Sequence, residues 1–465
     1  MTLRLIHSGI LKIPEQAKKM FGYVYANQEE RSYCLIVKYT DESSPFPSVY
    51  DVPSNLSKCV LELNNGFAIT LLECLREGTM TTFPSQMELR YSVSTIIPGI
   101  DMLKQGEDVF QEAYFSVDGI LPWGNVYGFE LLYEKNKEEL IKVNDIKEVS
   151  ILKNESYEIL YKVLVRYPFN YNDEEMVLKQ TPCLKVVSKE AKKIRWFIDI
   201  VEPINELITI AVQSRIGFTE LKVLLKEEMY EEQLYKQELK VDTSHSVIKN
   251  KMYSRNFYVK LFSLEDLISE GDILSWQAKY TLYKPIVNLY LSAFTYSEQS
   301  PEQLFLNACQ GLETYHARFV CDDKKEYLKR VEEVLSKDNS MWSEFFLDKD
   351  SKKRITLRER LADLMVDEWK IYSPFPPFDL GLEEYLKQIV DTRNYYTHYN
   401  KKDEHKALKN EMLGFATIML RNLIEYYLLK GLGFNQEFAN NVVKKKRESL
   451  STDYDIYKIN LGSKI

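Results

Sequence analysis

The sequence predicts a multidomain α+β protein, with a β-rich N-terminal domain followed by an all-α C-terminal bundle. The chain has 465 residues, which is more than one ordinary hydrophobic core organises. Its first half carries short alternating apolar patterns, whereas its second half carries apolar stripes of helical period. We expect a β-rich domain over 1–263, a helical connector over 264–299 and a helical bundle over 300–465.

The β-rich half predicts a sandwich or a barrel-like sheet with one inserted helix. Residues 59–63 and 67–71 flank Asn64-Asn65-Gly66, which predicts a hairpin closed by a type I′ turn at Asn65-Gly66. A helical pattern over 203–213 predicts the inserted helix. Further strands are predicted at 87–93, 110–117, 157–167, 194–200 and 220–225.

The second half predicts helices with recognisable ends. The connector has a helical apolar pattern that we expect to be interrupted before Pro285. Capping boxes at Ser300-Pro301-Glu302-Gln303 and Thr356-Leu357-Arg358-Glu359 begin two helices of the bundle. A proline-rich loop over 374–377 ends the second of these, and two further amphipathic helices follow, so we expect four or five in all.

Composition excludes several classes of protein. Apolar residues make up 45% of the chain, and no apolar run is long enough to span a bilayer. The N-terminus has no signal-peptide pattern, so we expect a cytoplasmic protein. The six cysteines and five histidines show no metal-binding spacing, and we therefore expect neither a catalytic metal nor a cofactor.

The charge of the chain is uneven. The net charge of -8 argues against a protein that binds nucleic acid over its whole surface. Residues 401–447, however, carry twice as many basic as acidic side chains. This excess favours phosphate binding there, although a solvated lysine face is an equal alternative.

The run Arg393-Asn394-Tyr395-Tyr396-Thr397-His398-Tyr399 can carry chemistry. It offers a permanent cation and a group that exchanges protons near neutral pH, and such a pair can cleave RNA without a metal. Arg393 and His398 lie about 140° apart around a straight helix. They converge only if the helix breaks near His398, or a second copy of the chain completes the site. Asn394 lies one turn before His398 and can orient its imidazole.

A structural interpretation of the same residues remains open. An interior Arg–Glu pair and a histidine that caps a helix give the same pattern. Tyr396 and Tyr399 can stack on bases or pack in the core. The cations Lys444, Lys445, Lys446 and Arg447 can hold an RNA backbone or simply face solvent.

The C-terminal domain resembles the HEPN superfamily, whose signature is an arginine, a polar residue, a few more residues and a histidine. Residues 301–440 are similar to the ApeA-type HEPN domain. The similarity is carried by 306–319, 355–364, 390–399 and 423–433. The β-rich half resembles the N-terminal domain of ApeA-like proteins through 69–74 and the strands up to Trp123.

The resemblance implies an anti-phage endoribonuclease of bacteria that acts without a metal on RNA, with tRNA as the expected target. It implies a homodimer or higher homo-oligomer formed through the HEPN domain, a phage-derived trigger and a regulatory N-terminal domain. Arg393 would bind the scissile phosphate and His398 would act as general acid or base, supported by Asn394, Tyr399 and Glu313, which can pair with Arg393. The RNA-binding candidates are Lys401, Lys402, Lys444, Lys445, Lys446 and Arg447.

Two alternatives from other functional classes remain. Some HEPN domains are non-catalytic RNA-binding or protein-interaction modules. In a third interpretation the chain is a ligand sensor whose helical domain only dimerises.

Overall fold

The computed structural model divides the chain into two compact units, Met1–Glu265 and Asp266–Ile465. The predicted α+β class is confirmed, because the first unit is built on a large antiparallel sheet and the second on helices. The structure describes residues 3–16, 20–27, 32–40, 52–82, 86–132, 140–166, 177–225, 228–230, 233–245, 260–295, 299–320, 329, 336, 356–365, 380–446 and 448.

The first six strands close into a barrel. They are β1 (Arg4–Lys12), β2 (Met20–Asn27), β3 (Ser32–Thr40), β4 (Asn55–Glu62), β5 (Ala68–Thr82) and β6 (Gln86–Pro98). Their order is β6-β3-β2-β1-β4-β5, and β5 pairs again with β6, so the ring is complete and every pairing in it is antiparallel. Alternate residues such as Val24, Leu35, Leu61 and Leu89 fill the interior. Of the two predicted architectures, this part of the chain adopts the barrel.

The predicted hairpin is present, but its predicted turn type is wrong. Leu61 pairs with Ile69, and the N–H of Leu63 donates to Phe67 O at 2.9 Å. Gly66 has φ +80°, whereas Asn65 does not have a positive φ, which a type I′ turn requires. The Asn65 carboxamide accepts from the N–H of Phe67 at 3.1 Å, and this local bond accompanies the different turn.

Beyond the barrel, six strands of the first unit extend the barrel wall into an open sheet, and β8 with β9 and β14 with β15 form two separate two-stranded sheets. Its elements are α1 (Met102–Gln105), β7 (Phe110–Val117), α2 (Leu121–Gly124), β8 (Phe129–Leu132), β9 (Leu140–Val143), β10 (Val149–Lys153), β11 (Tyr157–Arg166), β12 (Lys179–Lys192), α3 (Ile194–Val212), β13 (Phe218–Leu225), β14 (Glu228–Tyr230), β15 (Gln233–Tyr235) and β16 (Glu238–Thr243). The open part has the order β10-β11-β12-β7-β13-β16, and β16 joins it to β6.

The strand predicted over 194–200 is wrong, because these residues form the first two turns of α3. The segment is rich in isoleucine and aromatic residues, which also suit a strand. Its buried residues, however, continue with helical spacing into the rest of the helix, at Phe197, Val201 and Ile204. The helix and the strands around it therefore share one apolar layer.

The second unit is a helical bundle. Its elements are α4 (Leu264–Glu270), α5 (Ile273–Thr295), α6 (Pro301–Tyr315), a π-helical turn (His316–Val320), α7 (Leu357–Met365), α8 (Leu382–His398), a 3-10 helix (Lys401–Lys406), α9 (Asn410–Gly431) and α10 over residues 436–446. Helices α4 and α5 occupy the predicted connector, and nearly all of that segment lies within this unit. Helix α5 continues through Pro285, so the predicted interruption is wrong.

The predicted caps are present with one difference. Thr356 and Glu359 form the full capping box, since each backbone N–H donates to the other side chain. Ser300 accepts from the N–H of Gln303 at 3.3 Å, but the Gln303 carboxamide donates to Asn307 and does not reach back. The predicted loop over 374–377 and Arg447 lie outside the described residues. In the part of the chain that the structure describes, no helix has the length and apolarity to cross a membrane.

Candidate active site in the helical unit

Helix α8 presents one buried face to the bundle. Tyr385, Leu386, Ile389, Thr392 and Tyr396 are buried at helical spacing. Arg393 is the neighbour of Thr392, so it lies at the margin of this face and is 31% exposed. The arginine is therefore directed along the bundle surface and not into its centre.

Arg393 is held from two sides. Its Nη2 lies 3.5 Å from Oε2 of Glu313 on α6, and its Nη1 donates to the Asn394 carboxamide oxygen at 3.4 Å. The predicted Glu313–Arg393 pair is thus present. Because both side chains are about one-third exposed, the pair contributes at most about 1 kcal/mol to stability. Its main effect is to fix where the guanidinium lies.

The thiol of Cys309 lies beneath this pair. Burial raises the pKa of Cys309, the Glu313 carboxylate raises it further, and Arg393 acts in the opposite direction. The thiol is therefore uncharged at neutral pH, and Arg393 has an apolar group below it and an anionic group beside it.

His398 is the last residue of α8 and is exposed. Tyr399 then ends the helix in the left-handed region, with φ +48°, and its N–H donates to Tyr395 O at 2.6 Å. The predicted break therefore comes one residue after His398. Since Arg393 and His398 share one continuous helix, they stay about 140° apart around its axis and about 7.5 Å apart along it.

The other predicted supporting residues lie close to the same helix end. Asn394 is exposed and contacts Arg393, and no hydrogen bond joins it to His398 in the described structure. Tyr399 is 64% exposed, and its ring meets those of Tyr395 and Tyr396 edge-on. Tyr396 is buried and donates its hydroxyl to Leu408 O at 2.8 Å, so it packs in the core.

Hydrogen bonds hold the segment after His398 against α8, and they come from residues that were not among the predicted site residues. Gln388 donates to Lys406 O at 2.6 Å, and Thr392 accepts from the N–H of Leu408 at 3.1 Å. Together with the Tyr396 hydroxyl, these bonds hold residues 401–409 along the second half of α8. A polar threonine in an otherwise apolar stripe was the available signal for such a contact.

The predicted RNA-binding lysines fall into two groups. Lys401 and Lys402 are exposed, lie three and four residues after His398, and form no ion pair with any described residue. Lys444 and Lys445 are exposed on α10. The α10 group packs near Glu425, about 22 Å along α9 from Asn410, where the 401–409 segment ends.

Lys446 differs from its neighbours because its charge is engaged. Its ammonium donates to both carboxylate oxygens of Glu425, at 2.7 and 2.6 Å, and is only 18% exposed. Tyr290 donates to the same carboxylate at 2.6 Å. RNA binding by Lys446 stays a prediction that competes with this buried ion pair.

His316 is a further histidine of the bundle, and both of its ring nitrogens have a partner. It is fully buried, with Nδ1 3.2 Å from Nη1 of Arg360 and Nε2 2.8 Å from Oδ2 of Asp363. Arginine can only donate, so the Nδ1 accepts and the Nε2–H donates. Within the described residues, no group of three or more His, Cys, Asp or Glu side chains has an arrangement that could hold a metal ion.

Comparison with protein families gives two matches. Residues 7–276, more than half of the chain, match the family described as ApeA N-terminal domain 1, and residues 306–438 match the family described as Apea-like HEPN. The second range contains Glu313, Arg393 and His398. Both matches confirm the predicted resemblance and support a nuclease-type, anti-phage HEPN family. Among curated proteins, none matches the chain significantly.

Proposed function

Because the chain belongs to the ApeA family, with an ApeA-type N-terminal domain before an Apea-like HEPN domain, we propose that it is a metal-independent endoribonuclease of anti-phage defence. We further propose that its substrate is RNA, with tRNA as the expected target. The N-terminal unit would restrain the nuclease until infection. The proposal rests on the geometry of one helix end.

The observation that carries the proposal is a positioned arginine and a histidine without a hydrogen-bond partner among the described residues, in the last two turns of the same helix. Arg393 is fixed by Glu313 and Asn394, whereas His398 is exposed and has no hydrogen bond to a described residue. A fixed guanidinium suits an oxyanion, because its donors need no rearrangement when charge develops on the phosphate. An exposed imidazole suits proton transfer to and from a substrate.

The proposed reaction is an internal phosphoryl transfer. The ribose 2′-oxygen attacks the adjacent phosphorus while the His398 imidazole of one chain takes the 2′-OH proton. The bond from phosphorus to the 5′-oxygen breaks, and an imidazolium gives that oxygen a proton. The products are a 2′,3′-cyclic phosphate and a 5′-OH end. Arg393 neutralises the non-bridging oxygens throughout.

The separation of Arg393 and His398 favours a site shared by two chains. The two side chains leave α8 about 140° apart, so one phosphate does not readily reach both within a chain. A second copy packed against this helix end would bring its own pair to the same phosphate. In such a dimer the exposed Tyr399 can stack on a base, and Lys401 and Lys402 can contact the neighbouring phosphates.

The proposal is tested by incubating the purified full chain with a tRNA pool in excess EDTA and mapping the new RNA ends. We expect cleavage with cyclic-phosphate ends by the wild type and loss of cleavage in Arg393→Ala. Arg358→Ala is the matched control, because Arg358 is an exposed arginine of the same bundle that also pairs with a glutamate, Glu383.

Other outcomes of this assay separate the alternatives. RNA binding without cleavage, lost in Arg393→Ala, would identify a non-catalytic RNA-binding module. Cleavage that EDTA abolishes would contradict the metal-independent mechanism. Because a defence nuclease stays inactive until infection, the assay is repeated with extract from phage-infected cells before the nuclease proposal is rejected.

A second prediction follows if two chains form the active site together. Arg393→Ala and His398→Ala chains are each inactive alone, and each lacks a different half of the site. If the two halves come from different chains, refolding or co-expressing the variants together restores a fraction of wild-type cleavage. The measurement is cleavage by the mixed species, purified through two different tags. No recovery in a verified mixed dimer would contradict a shared site.

A further inference from the structure

A cavity of about 260 Å³ lies on the outer face of the barrel, entirely within the N-terminal unit. Its deeper wall is apolar apart from one hydroxyl, and is formed by Leu72, Thr95, Met102, Ile194 and Ile198. Its rim carries exposed charged side chains of both signs, Glu73, Lys193 and Arg195. A concave site with an apolar floor and a few polar groups is the usual form of a small-molecule site.

Three neighbouring strands of the barrel are irregular where they border this cavity. Residues facing the barrel interior normally alternate, but here β4 passes from Leu56 to Cys59, β5 from Leu71 to Cys74 and β6 from Val93 to Ile96. In each strand, two successive residues therefore face the outside of the barrel, and the three pairs lie side by side across the strands. These pairs are Ser57–Lys58, Leu72–Glu73 and Ser94–Thr95, and five of the six residues line the cavity.

Glu73 is the centre of this irregularity. The sheet pairs Leu72 and Cys74 with residues of both β4 and β6, but pairs Glu73 with neither. Its φ of +52° is in the left-handed region, which a glutamate rarely adopts. Its carboxylate has no hydrogen bond or ion pair with any described residue. Strain and strand irregularity of this kind collect at functional sites, where a side chain must be redirected.

The first turn of α3 also lines the cavity, through Ile194 and Arg195. This turn has no capping side chain and no acidic residue, so its positive end is uncompensated. Lys193 pairs with Glu107 at 2.6 Å, and Lys58 pairs with the same carboxylate at 3.1 Å. Arg195 engages Asp199 only through Nε, at 2.9 Å, which leaves its two Nη groups without a partner among the described residues.

His245 also lines the cavity. Its imidazole interacts electrostatically with Arg195, and with the carboxylates of Glu202, Asp199 and Glu73. Burial lowers the pKa of His245, and the Arg195 charge lowers it further. The imidazole is therefore uncharged at neutral pH and adds no charge to the cavity.

We propose that this cavity binds a small zwitterion of the α-amino-acid class that has an apolar side chain. Its carboxylate would meet Arg195 and the first turn of α3, its ammonium group would meet Glu73, and its side chain would cover the apolar floor. A simple anion would face the Glu73 carboxylate, and a simple amine would face Arg195. Only a ligand with both charges satisfies both sides. The proposal does not depend on the nuclease activity.

The test is calorimetric titration of the full chain with leucine, methionine and phenylalanine. For each amino acid, the amine and the carboxylic acid that share its side chain are titrated in parallel. We expect at least one amino acid to bind, and its two single-charge analogues to bind about tenfold more weakly, because each loses one charged contact. No binding by any of the three, or equal binding by an analogue, would overturn the proposal.

Variants locate the site. Glu73→Gln and Arg195→Gln should each weaken binding about tenfold or more, whereas Glu190→Gln should not. Glu190 is the control because it is an exposed carboxylate of the same unit outside the cavity. Glu73→Gly keeps the left-handed backbone while removing the carboxylate, so it should bind weakly with no loss in thermal unfolding midpoint. Full binding by both Glu73 variants would contradict the proposed ligand.

Discussion

His398→Ala is expected to lower metal-free RNA cleavage by about 10²- to 10⁴-fold, the usual contribution of a group that transfers protons in the transition state. His398 is exposed and forms no hydrogen bond or ion pair with a described residue, so its removal costs the fold little. The loss should therefore appear in the rate constant of the cleavage step, with the unfolding midpoint unchanged. It is measured from single-turnover cleavage of a tRNA pool in EDTA.

The chain offers a matched control for this variant. His405 is also exposed and lies seven residues further along, in the 3-10 helix of the same surface. His405→Ala should cleave at the wild-type rate. If both variants cleaved normally, the imidazole would have no role in the chemistry, and the Arg393–Glu313 pair would be better explained as a structural contact. Equal losses in both variants would indicate a general effect on RNA binding.

Lys446→Ala is expected to destabilise the helical unit by about 3 kcal/mol, because it leaves the buried Glu425 carboxylate without its cation. Glu425 is 1% exposed, and among the described residues it would keep only the Tyr290 hydroxyl as a hydrogen-bond partner. Helix α10 would also lose the ion pair that joins Lys446 to Glu425 on α9. The free energy of unfolding is measured by urea titration, with a probe that reports only on the helical unit.

Lys445→Ala is the comparison, since Lys445 is the exposed neighbour of Lys446. It should change the unfolding free energy by less than about 0.5 kcal/mol. If α10 contacts RNA, Lys445→Ala should weaken RNA binding and reduce its salt dependence, without any change in stability. Equal stability of the two variants would mean that the Glu425 pair contributes nothing.

The broad architecture could be predicted because it depends on local patterns. Strand alternation and capping residues are set by neighbours in the chain, and Thr356 and Glu359 form the capping box that their spacing indicates. The segment 194–200 shows where such patterns fail. Its isoleucine and aromatic residues suit a strand and a helix equally. The segment is helical because it continues into the remaining turns of α3.

The candidate site was predictable in its residue types but not in its contacts. Glu313 was named as a possible partner of Arg393, and the two side chains form this pair in the structure. The bonds of Gln388 and Thr392 join side chains of α8 to the backbone of residues 406 and 408; the threonine in the apolar stripe indicates such a contact but not its partner. The engagement of Lys446 was also hidden, because a lysine-rich run looks the same whether its charges are paired or free.

The closed ring of six strands has a consequence for how the chain is synthesised. All six strands have been made by residue 98, and no later segment is needed to close the ring. Arg393 and His398 follow some 300 residues later, which at ordinary rates of translation is about 15–60 s. The N-terminal unit can therefore fold while the helix that carries the motif does not yet exist. A nascent chain that is interrupted after residue 98 and before residue 393 therefore carries the complete barrel without Arg393 and His398.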